Sequence, residues 1–259
     1  MKNNLLKITS VLVVTLIGIV VSCKNDQTKN SVNLSADSNI VKNDTMLLTK
    51  VMPKGIITRL PGSDSVVALT LDACESLIPS YFDTTILNYL LLERIPFTLF
   101  MTGNFAVRNR ETLRMLAGYE WIDIQNHSYH HHLHMESLSD SAVVAEVKSA
   151  EDTIFSITGR RTKLFRFPGG NYDTRTLKRV EHMGYRVVHW SFESGDPDKK
   201  ITAQKMIPWV TSKTRPGGIL IFHINGRGYA TGKALPEIVT HLRNAGYYFA
   251  KLNDYTFAE

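Results

Sequence analysis

The chain has 259 residues, of which 43% are hydrophobic and 21% charged, as in an ordinary globular protein with a sizeable core. This length suits one large α/β barrel or two small domains. The formal net charge of +6 is modest and no long basic run accompanies it, which argues against a nucleic-acid partner.

The N-terminus has the pattern of a secretory signal. Lys2 and Lys7 form a basic start, and the following residues Ile8–Val21 are almost all apolar. This run is shorter than the roughly 20 residues that span a bilayer, and it ends in a small residue, as secretory signals do. Val20-Val21-Ser22-Cys23 resembles the lipobox of bacterial lipoproteins, and this resemblance implies that Cys23 is lipidated. An uncleaved anchor, or a plain signal with an incidental cysteine, is the alternative.

Three segments follow from this pattern. Residues 1–22 are predicted to be the lipoprotein signal peptide, and the chain is expected outside the cytoplasm, anchored to a bacterial membrane. Residues 23–50 are rich in Asn, Ser, Asp and Lys and are predicted to be a flexible tether. Residues 51–259 are predicted to form one domain, expected to be monomeric. Its single cysteine, Cys74, cannot form an internal disulfide and has the simple role of a buried apolar residue.

Strands and helices are predicted to alternate along this domain, which favours βα units around a parallel sheet, either a barrel or a heavily wound open sheet. Short apolar runs predict seven strands, at Val66–Asp72, Pro96–Thr102, Trp121–Asn126, Leu164–Phe167, Arg186–Phe192, Gly218–Phe222 and Tyr247–Leu252. Longer segments with helical spacing predict helices at Ile78–Glu93, Glu111–Ala117, Ser139–Thr158, Thr174–Met183, Ala203–Thr211 and Leu235–Asn244.

Polar residues fall at the carboxyl ends of five predicted strands. They are Asp72, His127, Arg166–Gly170, Glu193–Asp196 and His223. Strand-to-helix loops open at this rim in parallel α/β folds, and catalytic groups collect there. We therefore expect the five clusters to meet in one site.

A histidine-rich segment, His127 to His134, predicts a metal site. His127 and His131 are four residues apart, so a helical turn would bring both imidazoles to one ion. The other histidines of the segment are interpreted as solvated, and adventitious metal binding by the whole tract is the alternative.

The sequence resembles the NodB-homology polysaccharide deacetylases, family 4 of the carbohydrate esterases. His127-Ser128-x-x-His131 matches the family's His-Ser/Thr-x-x-His motif. The other four motifs follow the family's order between Val66 and Leu252: Thr70-Leu71-Asp72-Ala73 for Thr-Phe-Asp-Asp, Arg166-Phe167-Pro168-Gly169-Gly170 for Arg-x-Pro-Tyr-Gly, Asp196-Pro197 for Asp-Trp, and Ile221-Phe222-His223 for Leu-x-His. The resemblance implies an α/β fold, a single distorted (β/α)7 TIM-like barrel of the NodB type.

The resemblance also implies a metal-assisted hydrolysis. His127 and His131 would hold a divalent ion, zinc in much of the family, that binds water and polarises an acetyl carbonyl. Asp72 would be the general base, with Arg166 holding it ionised. The N–H of Gly169 would stabilise the oxyanion together with the ion.

His223 would be the general acid in this reaction, oriented by Asp196. The alternatives remain open for these residues. Arg166 and Asp196 could form a structural ion pair with each other, His223 could be a core histidine, and Pro168-Gly169-Gly170 could be an ordinary turn. Gly170, Asn225 and Arg227 are assigned to the substrate pocket, or to the shape of its loops.

Ala73 departs from the family pattern at the position of a third metal ligand. Catalytic zinc usually has three protein ligands, so water or substrate would have to fill this position. Alternatively, Asp72 would move onto the ion and leave the base role to Glu75, or the site would be inactive.

The leading prediction is a deacetylase that removes N- or O-acetyl groups from a polysaccharide such as peptidoglycan, a chitin-like chain or an acetylated plant glycan. Because of Ala73, a non-catalytic glycan-binding lipoprotein with the same fold is the alternative. The third hypothesis is a metallohydrolase that acts on a small amide.

Overall fold

The computed structural model describes residues 51–52, 55–62, 64–75 and 78–257. The predicted signal peptide, the lipidation site at Cys23 and the whole of the predicted tether lie outside the described residues. Within the part of the chain that is described, no helix combines the length and the apolar composition needed to cross a membrane.

A curled parallel sheet forms the centre of the domain. Its strands are β2 (Val66–Ala73), β3 (Phe97–Met101), β4 (Ile122–Asn126), β5 (Leu164–Phe165), β6 (Arg186–Val187), β7 (Phe192–Glu193), β8 (Ile219–His223) and β9 (Tyr248–Ala250). They lie in the order β6-β5-β4-β3-β2-β8-β7, and β9 pairs with the start of β2. A separate parallel pair joins β1 (Val51–Met52) to β10 (Thr256–Phe257). Each of the seven predicted apolar runs contains a strand of the sheet.

The central strands β2 and β3 are mostly apolar because both of their faces are covered. Every residue of β2, β3 and β4 is buried. Leu69 and Leu71 pack into the layer between the sheet and the helices, whereas Ala68 and Phe100 belong to a second cluster on the other face. Near-continuous apolar runs are typical of parallel strands buried in this way.

Helices follow most of the strands. They are α1 (Thr84–Leu92), α2 (Gly103–Arg108), α3 (Arg110–Leu116), α4 (Asp140–Thr158), α5 (Thr174–His182), α6 (Ala203–Lys213) and α7 (Thr231–Asn244). The predicted start of the first helix at Ile78 is wrong, because the Asp83 carboxylate accepts the N–H groups of Thr85 and Ile86 and so caps the helix there. The sequence did not predict α2, a short helix that begins directly after β3.

The predicted strand Arg186–Phe192 is realised as two short strands with different neighbours. β6 pairs with β5, whereas β7 pairs with β8. One segment of the chain therefore joins the two edges of the sheet, and the sheet curls round as a result. This architecture confirms the predicted α/β fold, a distorted (β/α)7 barrel.

Candidate active site

A cleft of about 310 Å³ opens at the carboxyl ends of the strands. Six of the residues to which the sequence analysis assigned a role line it, from five separate loops: Asp72, His131, Gly169, Asp196, His223 and Arg227. The remaining lining residues include Leu133, Trp190, Glu193, Ser194, Pro197, Asp198 and Ile221. The expectation that the strand-end clusters meet is therefore supported by the geometry of the cleft.

Asp72 and Arg166 form a buried ion pair beneath the cleft. Arg166 Nη1 donates to Asp72 Oδ1 over 2.7 Å, and the arginine is fully buried. Its Nη2 also donates to Thr70 Oγ1 (2.9 Å) and to the carbonyl of His189 (3.1 Å). The arginine thus pairs with Asp72 and not with Asp196, so the sequence alternative of an Arg166–Asp196 pair is wrong.

This pairing keeps the Asp72 carboxylate charged. Burial alone would raise the pKa of Asp72, but the charge of Arg166 and the hydrogen bond from Arg166 outweigh burial and lower the pKa. Oδ1 is engaged by Arg166, whereas Oδ2 lies 3.5 Å from His127 Nε2. Asp72 is therefore an ionised acceptor at the floor of the cleft.

His127 and His131 lie side by side, with ring centroids 5.1 Å apart. The helical turn expected after β4 is replaced in this described segment by a bend, in which Ser128 (φ 68) and His131 (φ 61) adopt the left-handed region. The N–H of Ser128 donates to Asn126 Oδ1, and the N–H of His131 donates to Ser128 Oγ. These local hydrogen bonds stabilise the bend.

Both imidazoles are suited to metal binding by their charge state. Burial lowers the pKa of His127, and it lowers that of His131 to about 3, so both rings are neutral at pH 7. His127 Nδ1 lies 2.8 Å from the carbonyl oxygen of Arg166, to which it can only donate. Its Nε2 lone pair is then free toward Asp72, the arrangement typical of a histidine ligand held by a second hydrogen bond.

The position of Ala73, among the described residues, offers no third ligand to this pair. Ala73 is fully buried in the apolar layer between the sheet and the helices and supplies no donor atom. Among the described residues, the group whose three possible ligand atoms lie within 4.8 Å of one another is His130, His132 and Glu146, and it does not line the cleft. The residues at the cleft therefore fit a site with two imidazole ligands and other positions open to water or substrate.

His223 lies across the cleft and is held by Asp196. His223 Nδ1 lies 2.8 Å from Asp196 Oδ1, and the His223 N–H donates to Oδ2 over 2.6 Å. Burial works to lower the pKa of His223, but the hydrogen bond and the charge of Asp196 outweigh it, so the pKa is raised. Thr231 Oγ1 also donates to Asp196 Oδ2, over 2.9 Å. His223 is thus a polarised imidazole whose Nε2 is available, rather than an apolar core histidine.

The assigned pocket residues differ in their positions. Gly169 (φ 63) lines the cleft, whereas Gly170 (φ 71) donates its N–H to the carbonyl of Phe167 and abuts Trp190. A Cβ on Gly170 would come within 2.8 Å of the indole, so only glycine fits both its backbone and its space. Arg227 is exposed at the cleft.

Asn225 and Glu75 both turn away from the cleft. Asn225 Nδ2 donates to the carbonyl (2.5 Å) and sulfur (3.0 Å) of Cys74, so its side chain shapes the loop after β8. Arg108 Nη2 donates to Glu75 Oε1 over 2.9 Å, and the N–H of Ser80 donates to Oε2 over 3.0 Å. These partners occupy the Glu75 carboxylate and argue against its role as the base.

Sequence reasoning missed several residues that build the site. Trp190 forms part of the cleft wall, and Thr70 and Thr231 hold the two charged groups, Arg166 and Asp196. The available signals were that Trp190 is an aromatic residue inside a predicted strand and that the threonines lie close to predicted site residues. Both signals are weak, because such residues are also common in structural positions.

The comparisons with known proteins agree with this geometry. The polysaccharide deacetylase family model matches residues 59–188. The peptidoglycan-N-acetylmuramic acid deacetylase PdaA of Bacillus subtilis (strain 168) is 29% identical over 177 residues, which cover 66% of this chain and 65% of that protein. The chain therefore spans slightly less than two thirds of this relative.

Solved structures share the fold at low sequence identity. A peptidoglycan N-acetylglucosamine deacetylase superposes with a TM-score of 0.71 at 22% identity, over 78% of this chain and 92% of that one. A CE4 family pseudoenzyme from Bacillus anthracis superposes with a TM-score of 0.68 at 19% identity, over 80% and 74% of the two chains. Because the family model covers half of the sequence and the predicted motifs lie in one cleft of the matching fold, the chain belongs to the polysaccharide deacetylase family.

Proposed function

We propose that this protein is a metal-dependent hydrolase that removes acetyl groups from a polysaccharide outside the cytoplasm. One observation carries the proposal: the Asp72 carboxylate, the imidazole of His131 and the carboxylate-paired His223 line one cleft, and His127 lies directly beside Asp72 and His131. These are the groups that a metal-assisted acyl hydrolysis requires. Peptidoglycan is the first substrate to test, since the relative PdaA is named for it.

The reaction would begin at Asp72. Its Oδ1 is fixed by Arg166 and its Oδ2 points to the space beside His127 Nε2, so Oδ2 would take the proton of the attacking water. A divalent ion held by His127 and His131 would bind that water and polarise the acetyl carbonyl. The N–H of Gly169, which lines the cleft, would donate to the developing oxyanion.

His223 would complete the reaction. Asp196 accepts from Nδ1 and raises the pKa of the ring, which favours the imidazolium form whose Nε2–H would protonate the departing amine or alcohol. Asp72 and His223 line the same cleft, so the acid and the base would act on one bound acetyl group. Trp190 gives this cleft an aromatic wall on which a sugar ring can pack.

The full-length protein, purified in detergent, should release acetate from acetylated peptidoglycan or from N-acetylglucosamine oligomers in the presence of Zn²⁺. Asp72→Asn and His131→Asn should each abolish most of this release. Asn is chosen at position 131 because it tolerates the left-handed backbone found there. Equal release by wild type and Asp72→Asn would exclude Asp72 as the base.

A second function, glycan binding without hydrolysis, is favoured by Ala73. This residue stands where the family has a metal ligand, and it is buried among apolar side chains. Binding of acetylated peptidoglycan by a wild-type protein that releases no acetate at any Zn²⁺ concentration would establish this second function.

The cellular location is proposed from the sequence alone. Cys23 in its lipobox-like context would carry the lipid that anchors the protein to a bacterial membrane, with the domain outside the cytoplasm. Labelled palmitate should be incorporated into the wild-type protein in a bacterial host, and Cys23→Ser should lose this label. Incorporation by both proteins would contradict lipidation at Cys23.

A further inference from the structure

A second group of possible metal ligands lies beside the cleft and takes no part in the reaction proposed above. It consists of His130 and His132, from the loop after β4, and Glu146, from helix α4. One ligand atom from each residue lies within 4.8 Å of the others. The sequence alone gives His130 and His132 no role beyond that of solvated loop residues.

Glu146 is the fixed member of this group. It is 7% exposed, and its Oε2 accepts the N–H groups of Tyr129 (3.1 Å) and His130 (2.8 Å). Its Oε1 faces both histidines, 2.6 Å from His130 Nδ1 and 3.6 Å from His132 Nε2. A buried carboxylate oxygen that faces two imidazoles is a ready acceptor for a cation.

The donor set and its spacing match a zinc-class ion. Two imidazoles and one glutamate, with a fourth position for water, make up a known type of zinc site. Tetrahedral bonds of about 2.0–2.1 Å put neighbouring ligand atoms roughly 3.3 Å apart. The separation of His132 Nε2 and Glu146 Oε1 already fits this value. The shorter distance to His130 is that of a hydrogen bond, in which the ion would replace the Nδ1 proton.

This group is separate from the cleft although it shares a loop with it. His131 and Leu133 line the cleft, whereas His130 and His132 are exposed and do not line it. The loop thus presents alternate residues to the two sites.

We propose that His130, His132 and Glu146 form a second divalent-metal site that fastens the loop after β4 to helix α4. The ion would link the residues on either side of His131 to a buried carboxylate. It would thereby fix the bend that places His131 in the cleft, so it is a positioning site and not a catalytic one. This proposal does not depend on the function proposed for the cleft.

The test measures Zn²⁺ binding to the full-length protein by titration calorimetry after removal of metal with a chelator. The starting variant is His131→Asn, which removes a ligand of the cleft but leaves the second group intact. We expect it to bind one ion, and we expect added His132→Ala or Glu146→Gln to weaken this binding at least ~10-fold. Glu146→Gln retains an oxygen for the two backbone N–H groups, so it tests the ligand role without undoing the loop.

His134→Ala is the matched control, because His134 is an exposed histidine of the same tract that pairs with Glu136. It should leave the affinity unchanged. The proposal is overturned if His131→Asn binds no ion, if His132→Ala binds as tightly as its parent, or if His134→Ala weakens binding equally, which would indicate adventitious binding by the tract. If the cleft binds no metal, wild type and His131→Asn should bind the same number of Zn²⁺ ions per chain.

Discussion

The buried pair of Asp72 and Arg166 gives a quantitative prediction for stability. Arg166 is fully buried, and Asp72 is the carboxylate that compensates its charge. Asp72→Asn leaves a buried guanidinium without that charge, and breaking a buried pair in this way costs about 3–5 kcal/mol. Because asparagine retains an oxygen for Arg166 Nη1, we expect the low end of this range, about 3 kcal/mol. This is a large share of the roughly 5–15 kcal/mol that stabilises a typical protein.

The double variant Asp72→Asn/Arg166→Met separates a charge effect from a packing effect. Arg166→Met alone leaves Asp72 as the uncompensated charge, whereas the double variant removes both charges. The loss in the double variant should therefore be smaller than the sum of the single losses by roughly 0.5–3 kcal/mol. Urea unfolding at pH 7, followed by tryptophan fluorescence, gives these free energies.

The stabilisation by the Asp72–Arg166 pair should depend on pH, and a surface carboxylate provides the control. The pKa of Asp72 is lowered in the folded protein, so the stabilisation is present above the ordinary carboxyl pKa and is lost as the pH falls through the folded value. Asp140→Asn, at a half-exposed carboxylate paired with Arg175 and Arg179, should cost about 1 kcal/mol or less. Single losses of Asp72→Asn and Arg166→Met that add to within about 0.5 kcal/mol in the double variant would refute a coupled charge pair.

Three further predictions concern single side chains. Asp196→Asn removes the charge that raises the pKa of His223 and outweighs the opposite effect of burial. The alkaline limb of the pH–rate profile for acetate release should therefore move to lower pH, and an unchanged profile would contradict the pairing. Glu75→Gln should leave acetate release nearly unchanged, because its carboxylate binds Arg108; a large loss would restore Glu75 as a candidate base. Burial raises the pKa of Asp123 to about 6, so the stability that this group contributes is present below the unfolded pKa and is lost as the pH rises through about 6. The unfolding free energy of Asp123→Asn minus that of wild type should therefore be about 2 kcal/mol larger at pH 8 than at pH 4. The same difference at both pH values, measured by urea unfolding, would argue against this.

The fold was predictable because its signals are local. Val66–Ala73 is buried on both faces, and a parallel strand of this kind has a near-continuous apolar sequence. The polar residues that end these runs had to meet at one rim, because parallel strands all point the same way. This is why Asp72 and His223, 151 positions apart along the chain, could be placed in one site from the sequence.

Features that depend on distant partners were not predictable in this way. The segment 186–193 has one apolar pattern, yet it pairs with β5 at one end and β8 at the other. The pairing partner of Arg166 was also undecided, since Asp72 and Asp196 both follow strands. Only the positions of β2 and β5 in the sheet decide that Arg166 reaches Asp72.

The sequence by itself determined the alternation of strands and helices, the rim at which the site forms, and the absence of a third ligand at Ala73. The tertiary structure decided which charges pair, which histidines face the cleft, and that Glu146 on a following helix meets His130 and His132. The physical reason is that periodicity records which face of an element is buried, whereas hydrogen bonds and ion pairs depend on distances of a few ångströms between residues far apart along the chain.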